Sequence, residues 1–275
     1  MPLKTALISL FNDHPYGSHD IISLSSALKS RGYPCTILFH ERPYRSERDA
    51  LRLTRLSQKE IDLCLGLLKE RKAGIAGISV YYFQLAAARQ LSAAIKERIG
   101  IPVIWGGPWP TYAPQECIDH ADLICRGEGE EALIDVLEAL EKGRPLKAIA
   151  NLWVRDAGKV FCNPLRQPSW DFAQFPFSFL EEHDLVFLCA ENRQWRPKPP
   201  AHYSAMASRG CWFACTYCLG SQALEHRYGY RLRSPRNLVL ELRQACQRYN
   251  PRLVIFDDAM FPPQNQWVSE FSQLY

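Results

Sequence analysis

The chain has 275 residues, of which 47% are hydrophobic, so it is able to bury a large core and is long enough for two domains. No apolar run approaches the roughly 20 residues that span a bilayer, so the sequence predicts a cytoplasmic protein without a membrane span. The net charge of +4 is spread along the chain without a dense basic block, which argues against a nucleic-acid partner.

Short runs of apolar residues alternate with longer amphipathic stretches through the first 145 residues, which is typical of βα units in a parallel sheet. The predicted strands cover residues 5–11, 34–39, 75–82, 102–106 and 121–126. Helices are predicted between them, including one over 57–74, and three others end at glycines suited to a left-handed cap, Gly32, Gly100 and Gly143. We therefore predict an α/β domain over residues 1–145, with a five-stranded parallel, Rossmann-like sheet covered by helices on both faces.

The pattern changes after residue 145. Residues 151–163 predict a β-hairpin around the Asp156-Ala157-Gly158 turn, which we expect to cap the first domain. Residues 164–203 are rich in proline and aromatic residues, so we assign 146–203 to a hairpin and linker. Residues 203–210 then predict a strand, and a loop with cysteines, a helix, a strand and part of a helix follow, which predicts the start of a truncated β/α domain over 204–275.

Ten cysteines occur in the chain, and Cys211, Cys215 and Cys218 form a CxxxCxxC motif after a predicted strand. A 4Fe-4S cluster usually takes four cysteines, so three leave one iron open to bind a cofactor or substrate. The alternative is a zinc site completed by His226, although the three-residue gap is unusual for structural zinc. The other seven cysteines are scattered singly, and we expect them to be buried free thiols.

The loops that follow the predicted strands are the second candidate site, because open parallel sheets bind ligands at the carboxyl ends of their strands. Glycines in these loops let the backbone approach a bulky ligand and present amide N–H groups to it. The candidate residues are Tyr16, Gly17 and Ser18 after the first strand, Ser79 after the third, Gly106, Gly107 and Pro108 after the fourth, and Gly127, Glu128, Gly129 and Glu130 after the fifth.

These loops, in this order and followed by the cysteine triad with its Ser208-Arg209-Gly210 lead-in, resemble the cobalamin-dependent branch of the radical S-adenosylmethionine (SAM) enzymes. The resemblance implies three cofactors: cobalamin, SAM and a 4Fe-4S cluster whose open iron holds SAM and releases a 5′-deoxyadenosyl radical. It also implies a reducing partner such as flavodoxin or ferredoxin and a small-molecule or peptide substrate. Methyl transfer to an unactivated centre is the commonest outcome in this family; ring closure or rearrangement, and a truncated cofactor-binding module without turnover, are the alternatives.

The resemblance also assigns residues. It places Tyr217, the aromatic residue before the last cysteine, and Asp257 and Asp258, at the end of the last predicted strand, near SAM. The alternative for the two aspartates is a cap and a solvated side chain. Arg231 and Arg233 are candidates to contact a carboxylate, or else ordinary surface residues.

The cobalamin site departs from the common DxHxxG motif. Asp13 and His14 are adjacent and only two residues separate His14 from Gly17, so the resemblance implies cobalamin held without a histidine ligand. Tyr81, Tyr82 and Trp109 are candidates to pack near the corrin faces, although aromatic residues at strand ends are more often part of the core or its rim.

Overall fold

The structure is a computed structural model that describes residues 2–11, 18–41, 55–169, 171, 174–177, 179–180, 185–188, 193–195, 202–218 and 228–275. The first α/β unit contains β1 (Thr5–Ser9), α1 (His19–Ser30), β2 (Cys35–Glu41), α2 (Gln58–Glu70), β3 (Ile75–Ser79), α3 (Leu85–Arg98), β4 (Val103–Gly106), α4 (Pro108–Tyr112), α5 (Pro114–Cys117), β5 (Leu123–Cys125) and α6 (Glu130–Glu141). Four strands follow, β6 (Leu152–Asp156), β7 (Lys159–Cys162), β8 (Leu185–Leu188) and β9 (Arg193–Trp195). The second unit contains β10 (His202–Ala205), β11 (Ser208–Arg209), β12 (Arg231–Leu232), α7 (Pro235–Tyr249), β13 (Leu253–Phe256) and α8 (Asn265–Leu274).

The predicted parallel sheet is confirmed. In the described part of the chain, strands pair in the order β7-β6-β5-β4-β3-β1-β2-β8-β9, and the five strands from β5 to β2 are parallel to one another. The direction in which successive strands are added to the sheet reverses at β1, because β2 lies on one side of it and β3, β4 and β5 lie on the other. This arrangement creates a topological switch point between β1 and β3, where open α/β sheets bind their ligands.

The hairpin and linker region contributes strands to this sheet. The predicted hairpin forms as β6 and β7, but it extends the sheet by pairing antiparallel with β5, because the β5 edge offers unpaired backbone groups. At the other edge β8 pairs parallel with β2, and β9 pairs antiparallel with β8. The domain boundary near residue 203 stays a prediction.

Alternation along the strands explains why both faces are covered. Ala6 and Ile8 in β1 belong to the core beneath α2 and α3, whereas Leu7 belongs to the core beneath α1 and α6. All three side chains are almost fully buried, as expected for a parallel strand between two helical layers. The two faces of the sheet are therefore covered by helices, and the loops at the carboxyl ends of the strands lie outside these two cores.

Local sequence signals set the ends of the helices. Gly32, Gly100 and Gly143 have positive φ angles after α1, α3 and α6, which confirms the predicted caps. Helix α2 begins with a capping box, in which the Ser57 hydroxyl accepts from the Glu60 N–H and the Glu60 carboxylate accepts from the Ser57 N–H.

The second unit has the predicted βαβα order. Strands β10 and β13 pair in parallel, and Leu238 and Trp267 from the two helices pack against Tyr203. The predicted strand over 203–210 is divided into β10 and β11, because the Ala207 N–H donates to the Asp258 carboxylate and not to a neighbouring strand. No helix among the described residues is both long and apolar enough to cross a bilayer.

The prediction that the scattered cysteines are all buried is wrong for two of them. Cys35, Cys64, Cys117 and Cys125 are buried, but Cys162 and Cys246 are exposed. Cys162 lies on the edge strand β7 and Cys246 lies on the solvent face of α7, where no second layer covers them. Cys189 lies outside the described residues.

Candidate functional site

The topological switch point places two predicted site residues near the carboxyl ends of the parallel strands. Ser79 ends β3, and its hydroxyl donates to the Asp20 carboxylate in the first turn of α1 at 2.7 Å. Ser18 precedes α1 directly and is buried. Tyr16 and Gly17, together with Asp13 and His14, lie outside the described residues.

The loop after β4 contains two glycines with different environments. Gly107 has a φ of +96°, and a Cβ there would lie 3.0 Å from both the Ser79 hydroxyl oxygen and the Val80 nitrogen. A Cβ on Gly106 would meet only the Cys125 carbonyl oxygen and Cβ, at 3.8 and 4.0 Å, which is ordinary contact. Gly107 is therefore required by the packing of this loop against the end of β3, whereas Gly106 has no comparable restriction. Pro108, the next residue, is exposed as the first residue of α4.

We expect Gly107→Ala to destabilise the protein by about 1–3 kcal/mol, because it adds a strained backbone and a close contact with Val80. The matched change Gly106→Ala should alter stability by less than about 1 kcal/mol, since no positive φ or close contact opposes it. Denaturant unfolding of both variants measures the difference. Equal effects would show that the backbone at Gly107 is not constrained.

Aromatic side chains form a partly exposed surface beyond the ends of β3 and β4. Tyr82 is 67% exposed and packs edge-to-face on Trp109, with 4.8 Å between the ring centroids. Tyr81, Phe83 and Tyr112 are each 40–42% exposed nearby. The structure thus places the aromatic residues predicted to pack near the corrin faces on one exposed surface, and their contact with a corrin ring stays a prediction.

The loop after β5 contacts the second unit. The Arg209 guanidinium lies 2.7 Å from the Glu130 carboxylate and 3.3 Å from that of Glu128. Arg231 also pairs with Glu128, and the Ser23 hydroxyl donates to Glu130 at 2.9 Å. The carboxylates predicted to lie near cobalamin are thus used in contacts with arginines and a serine of the chain itself.

Glycines shape the same loop. Gly127 has a positive φ of 73°, and a Cβ on Gly129 would lie 3.0 Å from the end of the Leu24 side chain. The small residues therefore let α6 begin close to α1 with Glu130 as its first residue. Whether these glycines also contact cobalamin stays a prediction.

The pKa of the Glu130 carboxyl is lowered in the folded protein. Burial raises it, but the charge of Arg209 and the hydrogen bonds from Arg209 and Ser23 outweigh burial. A lowered pKa means that Glu130 stabilises the fold above its ordinary value of 4.5, and that this stability is lost as pH falls through the folded-state pKa. We expect Glu130→Gln to flatten the pH dependence of unfolding between about pH 3 and about pH 6. Denaturant unfolding across that range measures the slope, and an unchanged slope would contradict the assignment.

The cysteine loop, residues 211–218, lies directly after β11. Cys211 and Cys215 are partly exposed and Cys218 is exposed, and a turn brings the Cys218 N–H to 3.1 Å from the Cys215 carbonyl oxygen. No group of three or more His, Cys, Asp or Glu side chains within the described ranges is arranged to hold a metal ion. The thiols supply the soft donors that iron-sulfur clusters take, so the donor set fits, but the loop does not gather all three around one centre.

The neighbours of the cysteine loop are only partly described. His226, the fourth ligand in the zinc alternative, lies outside the described residues. Tyr217 is 88% exposed, and the negative charge of Cys215, together with a hydrogen bond to it, raises the pKa of the Tyr217 hydroxyl. Within the cysteine loop Tyr217 therefore interacts with Cys215, whereas its predicted contact with SAM stays a prediction.

The two predicted aspartates have different environments. Asp258 accepts from the Ala207 N–H at 3.0 Å and from the Ser208 hydroxyl, so it stabilises the turn before the cysteine loop. The Asp257 carboxylate is 40% exposed and lies 3.4 Å from Nε2 of His19 in α1. Of the two, Asp257 is the more exposed, and contact of either carboxylate with SAM stays a prediction.

Sequence reasoning did not identify the first two turns of α1 as part of the site. His19 approaches Asp257, Asp20 accepts from Ser79, and Ser23 donates to Glu130. The sequence feature that could have identified these residues is a polar stretch at the start of a helix that follows the carboxyl end of β1. A cavity of ≈ 110 Å³ between the two units is lined by His19 and Ser23, among others.

These features define an α/β protein in which the loop after β5 contacts the ribbon before a cysteine loop, and residues 23–137 match the B12 binding domain family. The chain is 28% identical over 192 residues to an uncharacterized methyltransferase of Pyrococcus horikoshii, covering 68% of this chain and 39% of the relative. It is 25% identical over 214 residues to the anaerobic magnesium-protoporphyrin IX monomethyl ester cyclase of Rubrivivax gelatinosus, covering 74% of this chain and 36% of the relative. The chain therefore spans less than two fifths of either curated relative.

Solved structures share the whole fold. The radical SAM methyltransferase TsrM from Kitasatospora setae, with cobalamin and a [4Fe-4S] cluster bound, superimposes with a TM-score of 0.70 at 18% identity, covering 100% of this chain and 52% of that one. The cobalamin-dependent SAM radical enzyme OxsB, with aqua-cobalamin bound, also gives 0.70 at 18% identity, covering 100% and 37%. The predicted fold class is thus confirmed, and the B12 binding domain match bears out the predicted resemblance for residues 23–137.

Proposed function

We propose that this chain is part or all of a cobalamin- and SAM-dependent radical enzyme that transfers a methyl group to an unactivated centre. The observation that carries the proposal is a B12 binding domain at residues 23–137 that contacts the base of a CxxxCxxC loop. The contact is an ion pair between Glu130, after β5, and Arg209, before the first cysteine. The methyltransferase of Pyrococcus horikoshii supports methyl transfer as the reaction. A reductant such as flavodoxin or ferredoxin would supply the electron, and the substrate would be a small molecule or peptide.

The roles of the chain's residues follow from their positions. Cys211, Cys215 and Cys218 would hold a 4Fe-4S cluster, which supplies one-electron cleavage of SAM when bound. The exposed Asp257 carboxylate would accept a hydrogen bond from the SAM ammonium, whereas Asp258 holds the turn before the loop.

The cobalamin side of the proposal rests on the carboxyl edge of the sheet. Gly106 leaves the end of β4 open, and the aromatic groups around Tyr82 offer apolar surface to a corrin face. Ser79 and Ser18 lie at the switch point beside them, and Gly107 maintains the shape of the loop. Packing of the two units against each other would exclude water from the space between the cofactors.

Loading of the unmodified chain tests this proposal. After anaerobic reconstitution with iron, sulfide and hydroxocobalamin, we expect about four irons per chain and a bound cobalamin. Iron and zinc analysis, the visible spectrum and the EPR spectrum of the reduced sample measure both cofactors together. Bound zinc in place of iron, with cobalamin unbound, would overturn the proposal in favour of a zinc-stabilised α/β binding module.

Ring closure is the second candidate, and the match to the Rubrivivax gelatinosus cyclase favours it. The two reactions use SAM differently, because methyl transfer consumes its methyl group. Incubation of the loaded protein with SAM and excess dithionite as the reductant should yield S-adenosylhomocysteine together with 5′-deoxyadenosine for methyl transfer. Formation of 5′-deoxyadenosine alone would favour cyclisation or rearrangement.

A further inference from the structure

A two-stranded ribbon forms the base of the cysteine loop. Strands β11 and β12 pair antiparallel, with Ser208 opposite Leu232 and Arg209 opposite Arg231. The cysteine motif begins two residues after Arg209, and the chain returns to the ribbon at Arg231. Any ligand held by the cysteines is therefore positioned by this short ribbon.

The ribbon contains an electrostatic conflict. Two arginines directly opposite each other on a strand pair repel, and with few backbone hydrogen bonds the ribbon has little else to oppose that repulsion. Arg231 is only 2% exposed, so water does not screen the conflict there. The ribbon thus needs negative charge from outside itself.

The β5–α6 loop of the first unit supplies this charge. Glu128 contacts both arginines, and Glu130 contacts Arg209 at 2.7 Å. Glu130 is 6% exposed and is held by the Ser23 hydroxyl, so its carboxylate is fixed in place. Two carboxylates therefore meet two guanidinium groups, in a partly buried network of charge-assisted hydrogen bonds.

We propose that Glu128 and Glu130 are positioning residues for the cysteine loop. By neutralising Arg209 and Arg231 they bind the base of the loop to the carboxyl edge of the parallel sheet, and so set the separation between a ligand of the cysteines and a ligand of the sheet edge. The functional meaning of this separation rests on the proposed function, but the contact itself does not. This role differs from direct contact with cobalamin, which the sequence resemblance implies for the same two residues.

Hydrogen exchange of the full chain tests the proposal. In the double variant Glu128→Gln, Glu130→Gln, we expect amide exchange of residues 207–211 and 230–233 to rise at least about tenfold. The matched control is Glu138→Gln, which makes the same change on α6 where the carboxylate contacts exposed Lys142 and Arg144. Hydroxocobalamin affinity, measured by visible titration, should stay within about twofold of the unmodified chain.

A second pair of variants distinguishes a positioning role of the glutamates from a general effect on stability. In Arg231→Gln the opposed charges are already gone, so the further change Glu128→Gln should loosen the ribbon much less than it does alone. Unchanged exchange in the double variant, or equal loosening in both backgrounds, would overturn the proposal. A large loss of cobalamin affinity without ribbon loosening would also overturn it and favour direct ligand contact. If the unmodified chain binds neither iron nor cobalamin, the proposed function fails, while the exchange comparison still decides the role of the two glutamates.

Discussion

Replacing Cys211, Cys215 and Cys218 together with alanine is expected to reduce bound iron from about four atoms per chain to nearly none. The reason is that the three thiolates are the soft donors of one loop, and alanine removes every one of them. Cobalamin binding should persist, because the carboxyl edge of the first sheet does not involve these residues. Iron analysis and the EPR spectrum after reconstitution measure the loss.

The chain provides its own control for this experiment. Cys162 and Cys246 are exposed and lie far from the motif in sequence, so replacing both with alanine removes two accessible thiols without touching the loop. This control should keep its full iron content. Iron loss in the control, or iron retention in the triple variant, would show that the metal is bound outside the motif.

Replacing Glu241 with leucine is expected to destabilise the second unit by about 3–5 kcal/mol. Glu241 lies at 5% exposure on α7, accepts from the Tyr203 hydroxyl at 2.6 Å and pairs with Arg233 at 2.5 Å. Leucine would leave the Arg233 charge buried beside Tyr203 without its carboxylate. Denaturant unfolding, followed by hydrogen exchange of β10 and α7, measures the effect and locates it.

Two matched variants distinguish the loss of the Glu241 charge from the loss of the Tyr203 hydrogen bond and from the effect of replacing a surface carboxylate. Tyr203→Phe removes only one hydrogen bond to Glu241 and should cost about 1 kcal/mol. Glu270→Leu changes a half-exposed carboxylate on α8, 3.9 Å from the exposed Arg236, and should alter stability by less than about 0.5 kcal/mol. If Glu241→Leu cost no more than Glu270→Leu, the buried network would not be holding the second unit together.

Much of the fold could be read from local patterns. Apolar runs and amphipathic stretches predicted β1 to β5 and their helices, because strand alternation and helical periodicity are properties of neighbouring residues. Gly32 and the glycines like it marked helix ends for the same reason. The position of the hairpin could not be predicted from the sequence, because the same turn signal is compatible with a cap on the domain and with an extension of the sheet. In the structure the hairpin extends the sheet, since β6 pairs with the open edge of β5.

The candidate site was only partly predictable. The CxxxCxxC spacing identified the thiols of Cys211, Cys215 and Cys218 directly, because the motif is local. The separate roles of Asp257 and Asp258 were not visible, because adjacent residues at a strand end point in different directions and meet different partners. Exposure of Cys162 likewise depends on which strand became the edge of the sheet.

The sequence by itself determined the class of fold, the order of its elements and the spacing of the three thiols in the cysteine motif. Only the tertiary structure decided that Glu130 meets Arg209 across 79 residues and that Glu128 meets Arg231 across 103. The physical reason is that hydrophobic periodicity and turn chemistry act over a few neighbouring residues, whereas a buried ion pair forms where packing brings distant segments together and removes their water.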